Sequence, residues 1–154
     1  AYEITEGIVG SEMCIRDSSY TSELDTVSAI GDGKQPRWSS GKDVPRWTSR
    51  PQLGKKQWVE GTFSKPRKVR SVGVYWMQDQ QDVKFPKEWS VEVRNGNTWK
   101  PFELYVTDRY DNRANQYNVV HPAAPLTCEA IRIHMTPNDN SALGILEVQV
   151  AFEE

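Results

Sequence analysis

The sequence predicts an all-β fold, a β-sandwich or jelly roll built from one domain. From Ser19 to Phe152, short alternating or β-rich segments are separated by turn signals, and apolar residues do not recur with helical period. The length of 154 residues suits one domain and is too short for two ordinary ones. About seven or eight short strands with one long loop are typical of a sandwich.

The clearest strand lies in KVRSVGVYWM, residues 68–77. Val72, Val74 and Trp76 fall on one face, while Gly73 and Tyr75 fall on the other. Because both faces carry apolar side chains, we expect this strand to be packed on both sides.

A hairpin is predicted from residue 88 onward. EWSVEVR places Trp89, Val91 and Val93 on one face, and Asn95-Gly96-Asn97 separates it from TWKPFELYV. An Asn-Gly pair between strand-like runs favours a tight turn whose central residues accept positive φ. AIRIHM and GILEVQVAF supply the closing strands by the same alternation.

A long polar tract between Ile30 and Gln57 forms the main loop. Loops of this length are either functional or disordered. Trp38 and Trp47 argue against disorder, because disordered segments are poor in aromatic residues.

Charge and hydropathy exclude several kinds of partner. The net charge is -2, with 19 basic and 21 acidic residues, so the chain lacks the basic excess that binds nucleic acid. No apolar run approaches the roughly 20 residues needed to cross a bilayer, and the first residues lack a secretory signal pattern. Because the chain begins with Ala1, we expect it to be a fragment or a processed product.

Catalysis and disulfide chemistry have little support in the sequence. Cys14 and Cys128 cannot build a disulfide framework and share no metal-ligand spacing with His121 or His134. Cys128 is predicted to be a small buried residue. Hydrolysis by a pair of carboxylates has little support, because the aspartates here lie in polar loop contexts that suggest solvated side chains. We therefore predict that this chain holds no active site.

Residues 11–18, SEMCIRDS, have no clean period. Residues 12–18 are what the reading frame GAG-ATG-TGT-ATA-AGA-GAC-AGC encodes, and they resemble a translated sequencing adapter. We therefore predict that 1–18 is a non-native or disordered leader, that it makes few core contacts, and that the domain spans 19–152. A well-packed strand over residues 12–17, with Cys14 buried or bridged to Cys128, would contradict this prediction.

Six segments in order carry a family resemblance: SYTSELDTVSAIGDGKQP, PRWT, QWVEGTFSKPRKVRSVGVYW, FPKEWSVEVRNGNTWKPF, AIRIHM and SALGILEVQV. Together they resemble a galactose-binding-like domain of the coagulation factor V/VIII C-type, or discoidin, kind. More narrowly, they resemble the carboxy-terminal accessory domain of bacterial beta-L-arabinofuranosidase-like glycoside hydrolases. The loop QDQQDVKFP departs from those enzymes, where this segment is glycine-rich and carries a cysteine.

The resemblance implies a non-catalytic accessory module of a bacterial glycoside hydrolase that is periplasmic, on the cell surface or secreted. Its partners would be a plant or host glycan and the catalytic domain of the parent enzyme, and it would either bind sugar or act as a scaffold. The alternative is a discoidin-like adhesion module that binds a protein or a lipid head group. Loops dominated by Arg, Lys, Asp and Gln argue against membrane binding.

The resemblance also implies a structural calcium ion. Its ligands would be Asp32 and Glu147, with backbone carbonyls near Ala29 and Pro36. The glycines around Asp32 let carboxylate and carbonyl oxygens converge, which suits a hard cation. Lys34 stands where many relatives have a further polar residue. The alternative is that Asp32 caps a turn and Glu147 pairs with an arginine.

A carbohydrate site needs an aromatic ring beside convergent polar groups. Trp58, Trp89 and Trp99 sit on strand patterns and are expected in the core. Trp47 lies beside Arg46 in a polar loop, Trp76 precedes the polar loop that contains Asp79, and a third loop joins Asp108, Arg109 and Tyr110. The predicted sugar contacts are therefore Arg46, Trp47, Trp76, Asp79, Arg109 and Tyr110.

Overall fold

A computed structural model of the protein describes residues 13–41 and 44–153. It contains a short 3₁₀ helix, Val27–Gly31, and eight β-strands. The strands are β1 (Met13–Ser18), β2 (Trp47–Thr48), β3 (Gln57–Trp76), β4 (Glu88–Asn95), β5 (Thr98–Pro101), β6 (Tyr117–Val120), β7 (Leu126–Thr136) and β8 (Gly144–Glu153). All pairings between these strands are antiparallel.

Strand β3 connects two layers. Its first part pairs with β1 and β7, and β7 continues through β4 to β5. Its last part pairs with β6 and β8, and β8 continues to β2. The register with β7 shifts between Thr62 and Arg67, where the strand passes from one layer to the other. The all-β sandwich predicted from the sequence is confirmed.

The two layers bury one common core. Val91 of β4 and Ile133 of β7 face Val74 of β3 and Val148 of β8 in a single apolar cluster. Across the layers, the indole rings of Trp76 and Trp89 pack edge to face, with 5.3 Å between their centroids. These alternating inward residues are the ones that strand periodicity selects.

The predicted hairpin joins β4 to β5 through Gly96 and Asn97, with Asn95 paired to Thr98. Gly96 has a φ of 64°, and neither neighbouring asparagine has a positive φ. The turn therefore needs left-handed backbone at one of its two central residues rather than at both.

The expectation that Trp58 and Trp99 lie in the core is wrong. Both indoles are half-buried, and the guanidinium of Arg132 lies between them at 4.3 Å from the Trp58 ring centroid and 4.4 Å from that of Trp99. Their strands are correctly predicted, but both residues occupy the outer face of the sheet. Trp89, by contrast, is buried as expected.

The amino-terminal segment requires a correction. Met13–Ser18 forms β1, which pairs with residues 59–63 of β3, and the side chains of Met13 and Ile15 are buried in the core. The prediction that this segment makes few core contacts is wrong for residues 13–18, because the alternation Met-Cys-Ile presents two large apolar side chains to the unpaired edge of β3. Residues 1–12 lie outside the described part of the chain. The adapter origin of the segment stays a prediction.

The two cysteines differ in burial: Cys14 is half-buried and Cys128 is buried. Cys14 and Cys128 are not joined by a disulfide. Cys128 lies in the core, and burial raises the pKa of its thiol to about 11. Such a thiol is unreactive near neutral pH, because the thiolate is the nucleophile. Among the described residues, no helix has the length and apolar character needed to cross a bilayer.

Candidate functional site

Three long connections meet at one end of the sandwich, here called the loop end. Ser49 donates its backbone N–H to Leu143 at 2.9 Å, Gly54 donates to Ser141 at 2.9 Å, and Lys84 donates to Ala142 at 3.1 Å. The connection between β2 and β3 and the one between β3 and β4 are thus tied to the connection between β7 and β8. This end presents polar loops on a rigid scaffold, which is where binding sites commonly lie.

A cavity of about 400 Å³ opens at the loop end, here called the loop-end pocket. It lies between residues 22–26 and residues 44–50. Ser22 and Thr26 donate backbone N–H groups to Thr48 and Arg46 at 3.0 and 3.3 Å, which fixes the two walls relative to each other. The lining residues are Ser22, Leu24, Asp25, Thr26, Val44, Pro45, Arg46 and Arg50.

Arg50 is held by two carboxylates from the connection between β3 and β4. Its Nη2 pairs with Asp79 and its Nε donates to Asp82 at 2.5 Å. Asp79 also accepts the backbone N–H groups of Gln81 at 2.9 Å and Val83 at 3.0 Å. The expectation of a solvated Asp79 is therefore wrong, because its oxygens hold the loop and the arginine in place. Its contact with a sugar stays a prediction.

Arg46 and Asp25 supply further polar groups to the pocket. The Nη2 of Arg46 donates to the Gly41 carbonyl at 2.6 Å, and Asp25 accepts a hydrogen bond from the Thr48 hydroxyl. Two guanidinium groups and one carboxylate thus line one polar cavity. Such a set can donate to and accept from neighbouring hydroxyl groups.

Trp38 was not among the predicted site residues, yet it is 56% exposed. The backbone on either side of it is held in place. The Arg37 carbonyl accepts the Tyr75 hydroxyl at 2.9 Å, and Ser39 donates its backbone N–H to Asn115 at 2.7 Å. A large ring that is fixed through its backbone and left open to solvent is a candidate contact surface.

The turn after Trp38 depends on Gly41. Its N–H donates to the Trp38 carbonyl at 3.0 Å, and its φ is 64°. A Cβ atom at this position would lie 2.5 Å from a methyl carbon of Leu146. Only glycine therefore fits this turn without displacing its neighbour.

Trp47 and Trp76 are wrong as predicted sugar contacts, because both are 0% exposed. Trp47 is held inside by its indole N–H, which donates to the Tyr20 carbonyl at 2.9 Å. Trp76 packs against Trp89 in the core. A ring with no exposed face cannot stack on a ligand. The signal that could have selected Trp38 instead is its position among Pro, Ser and Gly, outside any strand pattern.

The third predicted loop does not line the loop-end pocket. The Tyr110 hydroxyl accepts the N–H of Val91 at 3.1 Å, and its ring meets Trp89 edge-on at 4.7 Å between centroids. Burial raises the pKa of Tyr110. Arg109 is exposed, and Asp108 accepts the backbone N–H of His121 at 2.6 Å. Tyr110 instead lines a cleft beside β4.

Glu147 and Asp32, the predicted calcium ligands, come together beside the 3₁₀ helix. Glu147 is 0% exposed; its Oε2 accepts the Gly33 N–H at 2.9 Å, while its Oε1 is buried without a hydrogen-bond partner. Burial raises the pKa of Glu147 to about 9; the nearby Asp32 adds to the rise, and the Gly33 N–H opposes it. The proposed pairing of Glu147 with an arginine is absent from the described residues.

Asp32 caps a turn in this loop, as one of the two alternatives for this residue expected. Asp32 accepts the N–H of Lys34 at 2.9 Å, which is a turn-capping role. The Ala29 carbonyl accepts the Asp32 N–H at 3.4 Å, and Pro36 lies four residues beyond Asp32. Within the described ranges, no group of three or more His, Cys, Asp or Glu side chains is arranged to hold a metal. A cation here would depend on two carboxylates and carbonyl oxygens.

Tyr117 lies close to this pair of carboxyl groups. Its hydroxyl donates to Gln35 at 2.6 Å, and its ring packs edge-on against Tyr75. Burial, and then the negative charge of Glu147, raise the pKa of Tyr117. Gly33, in the loop after the 3₁₀ helix, and Tyr117 of β6 thus both lie close to Glu147.

Solved structures with the same fold come from several bacterial enzymes. A structure of the beta-galactosidase BgaA of Streptococcus pneumoniae matches with a TM-score of 0.73 and 21% identity, over 88% of this chain and 90% of that chain. The family 32 carbohydrate-binding module of Clostridium perfringens NanJ, solved with galactose, matches with a TM-score of 0.71 and 18% identity, over 95% and 97% of the two chains.

A chitosan-binding module from a chitosanase/glucanase of Paenibacillus sp. IK-5 matches with a TM-score of 0.66 and 16% identity, over 94% of this chain and 97% of that chain. No curated protein sequence matches the chain. At these identities the structural matches establish the fold. The family follows from the sequence itself: the F5/8 type C domain matches residues 15–148, from the middle of β1 into β8, and the chain belongs to that family.

Proposed function

We propose that this protein is a non-catalytic carbohydrate-binding module and that the loop-end pocket binds the sugar. The observation that carries this proposal is the convergence of Arg46, Arg50 and Asp25 on one cavity of about 400 Å³ at the loop end. The family membership supports it, as do structural neighbours described as binding galactose and chitosan.

The pocket offers both kinds of contact that a sugar ring requires. The guanidinium groups of Arg46 and Arg50 can donate to ring hydroxyls, and Asp25 can accept from them. Leu24 lines the pocket and is 95% exposed. Trp38 does not line the pocket, but it is exposed on the turn closed by Gly41, whose carbonyl accepts from Arg46. Apolar and aromatic surface of this kind can cover the C–H faces of a sugar.

We further propose that the module is an accessory domain of a bacterial glycoside hydrolase that acts in the periplasm, on the cell surface or outside the cell. Binding would hold glycan near the catalytic domain and raise its effective concentration there. The second candidate is an adhesion module that binds a protein or a lipid head group. The exposed Leu24 favours it only weakly, because the pocket beside that residue is charged.

A glycan array followed by titration calorimetry tests the proposal. We expect a galactose-, arabinose- or chitosan-type ligand to bind, and Arg46→Ala and Trp38→Ala each to weaken binding at least tenfold. Arg94→Ala is the matched control, because Arg94 pairs with Glu129 and with the hairpin at the opposite end of β4. Binding that survives both site variants would overturn the assignment of this pocket. Binding to anionic lipid vesicles without any glycan binding would favour the adhesion role.

We also propose a structural calcium ion held by Glu147 and Asp32 with carbonyl oxygens of the loop that follows the 3₁₀ helix. The buried Glu147 Oε1 without a partner supports it, because such an oxygen costs free energy unless a proton or a cation satisfies it. A bound calcium would fix the first loop against β8. We expect calcium, and not magnesium, to raise the unfolding temperature, and Glu147→Gln to remove that effect. An equal rise in the variant would contradict the proposal.

A further inference from the structure

A second concave surface lies on the outer face of β4 and β7. Two cavities of about 520 and 320 Å³ adjoin there and share Ser90, Tyr110 and His134. Since they share these residues, they form one continuous groove, here called the sheet-face cleft. The residues of the loop-end pocket contribute nothing to it.

The cleft runs along the strand direction. Glu88 lies at one end, Glu92 and Pro101 lie at the other, and Tyr110 borders both sections. Four residues along an extended strand span about 13 Å. A groove of this length suits a short chain of sugar units rather than a single ring.

The end of the cleft near the start of β4 carries cationic groups. Lys56 and Lys87 both line it, and neither ammonium group makes an ion pair within the part of the chain that the structure describes. Among the described residues that line this section, Glu88 is the only acid. Two lysines against one glutamate give this end a local excess of positive charge, although the net charge of the protein is -2.

Two hydroxyl groups in the floor of the cleft are available to donate hydrogen bonds to a ligand. The hydroxyls of Ser90 and Thr136 form no hydrogen bond to other side chains among the described residues, and both line the cleft. His134 is oriented by Glu92, whose carboxylate lies 2.7 Å from its Nε2. The neighbouring Trp58 and Trp99 are less suited to a ligand, because Arg132 already occupies one face of each ring.

We propose that the sheet-face cleft is a second glycan site and that it takes a short acidic oligosaccharide carrying uronate groups. Lys56 and Lys87 bind a sugar carboxylate, the hydroxyls of Ser90 and Thr136 bind ring hydroxyls, and the half-buried ring of Tyr110 packs against the chain. This site is independent of the loop-end pocket and does not require that the pocket bind sugar.

Trigalacturonic acid and its fully methyl-esterified, uncharged form are the probes, titrated into the full chain and followed by amide NMR. We expect shifts at Ser90, His134 and Thr136. The acid should bind at least tenfold more tightly than the ester, and its affinity should fall with added salt. The double variant Lys56→Gln/Lys87→Gln should lose at least tenfold in affinity, whereas Lys65→Gln/Lys100→Gln, which removes two exposed lysines elsewhere, should keep it.

Ser90→Trp is a second variant that fills the cleft on an exposed position of β4 and leaves the lysines in place. It should abolish binding of the acid, while Arg46→Ala should leave it unchanged. The proposal is overturned if the trimer does not bind, if acid and ester bind equally, or if the shifts lie only at the loop end. The last result would still be compatible with a sugar site in the loop-end pocket.

Discussion

At the scale of single residues, Glu147 shows how a correctly predicted position acquires its chemistry only in the fold. Leu146 and Val148 beside it are apolar, so a partly buried carboxyl could be predicted from the strand pattern. The structure buries it completely and brings the Gly33 N–H, from 114 residues away, to one oxygen only. The other oxygen is left with a proton or a cation as its possible partner.

The raised pKa of Glu147 predicts an unusual dependence of stability on pH when no metal is present. Folding holds a proton on this group up to a pH of about 9, whereas the unfolded chain releases it near the ordinary value of 4.5. The folded state therefore binds more protons in that interval, and the free energy of unfolding falls as pH rises through it.

Glu147→Gln replaces the titrating carboxyl group by a neutral amide whose oxygen can still accept the Gly33 N–H. In the presence of a chelator, we expect the variant to be more stable than the parent protein at pH 8, by at least about 1 kcal/mol, because one pKa unit corresponds to about 1.4 kcal/mol. This difference in stability should vanish near pH 4.5. Urea unfolding at several pH values measures it. The prediction would be contradicted if the free energies of unfolding of the parent protein and the variant changed with pH in the same way between pH 4.5 and pH 8.

At the scale of elements, β1 is where sequence and structure disagree most. Its residues resemble a translated adapter, yet they pair with β3 and bury Met13 and Ile15. The family match begins at residue 15, inside this strand. A short segment with large apolar side chains at two alternate positions, here Met13 and Ile15, can fill an open sheet edge whatever its origin, because edge pairing is selected by backbone hydrogen bonds and side-chain alternation.

Ile15→Ala tests whether β1 belongs to the folded domain. If it does, the lost methylenes and the resulting cavity should lower the free energy of unfolding by about 2–5 kcal/mol. Asp17→Asn is the matched control, because Asp17 is exposed on the same strand and the change keeps its acceptor for the Ser18 N–H. Equal stability of the parent protein and Ile15→Ala in denaturant titrations would restore the predicted boundary at residue 19.

At the scale of the whole molecule, the single core links every layer to both candidate binding surfaces. Strand β3 takes part in both layers, and most buried apolar residues of the strands belong to one cluster, while a smaller second cluster around Tyr75 and Leu146 also includes residues of β3 and β8. The loop-end pocket lies on connections at one end, while the sheet-face cleft lies on strands β4 and β7. A ligand on either surface therefore stabilises the same cooperative unit.

This arrangement predicts a single unfolding transition. Calorimetric and van't Hoff enthalpies of unfolding should agree, and near-ultraviolet circular dichroism from the core tryptophans should change together with the far-ultraviolet signal. Two transitions, or probes that do not coincide, would show that the layers unfold separately.

The all-β class, the alternation in β3, β4, β7 and β8, the hairpin at Gly96 and the family resemblance could all be predicted from the amino-acid sequence, because they depend on local periodicity and turn residues. The predicted sugar-contact residues included Arg46, which lines the loop-end pocket, and Tyr110, which lines the sheet-face cleft instead. The amino-acid sequence could not separate the buried Trp47 and Trp76 from the exposed Trp38. That distinction required the folded structure, because the exposure of an aromatic ring depends on which distant strand or loop covers it.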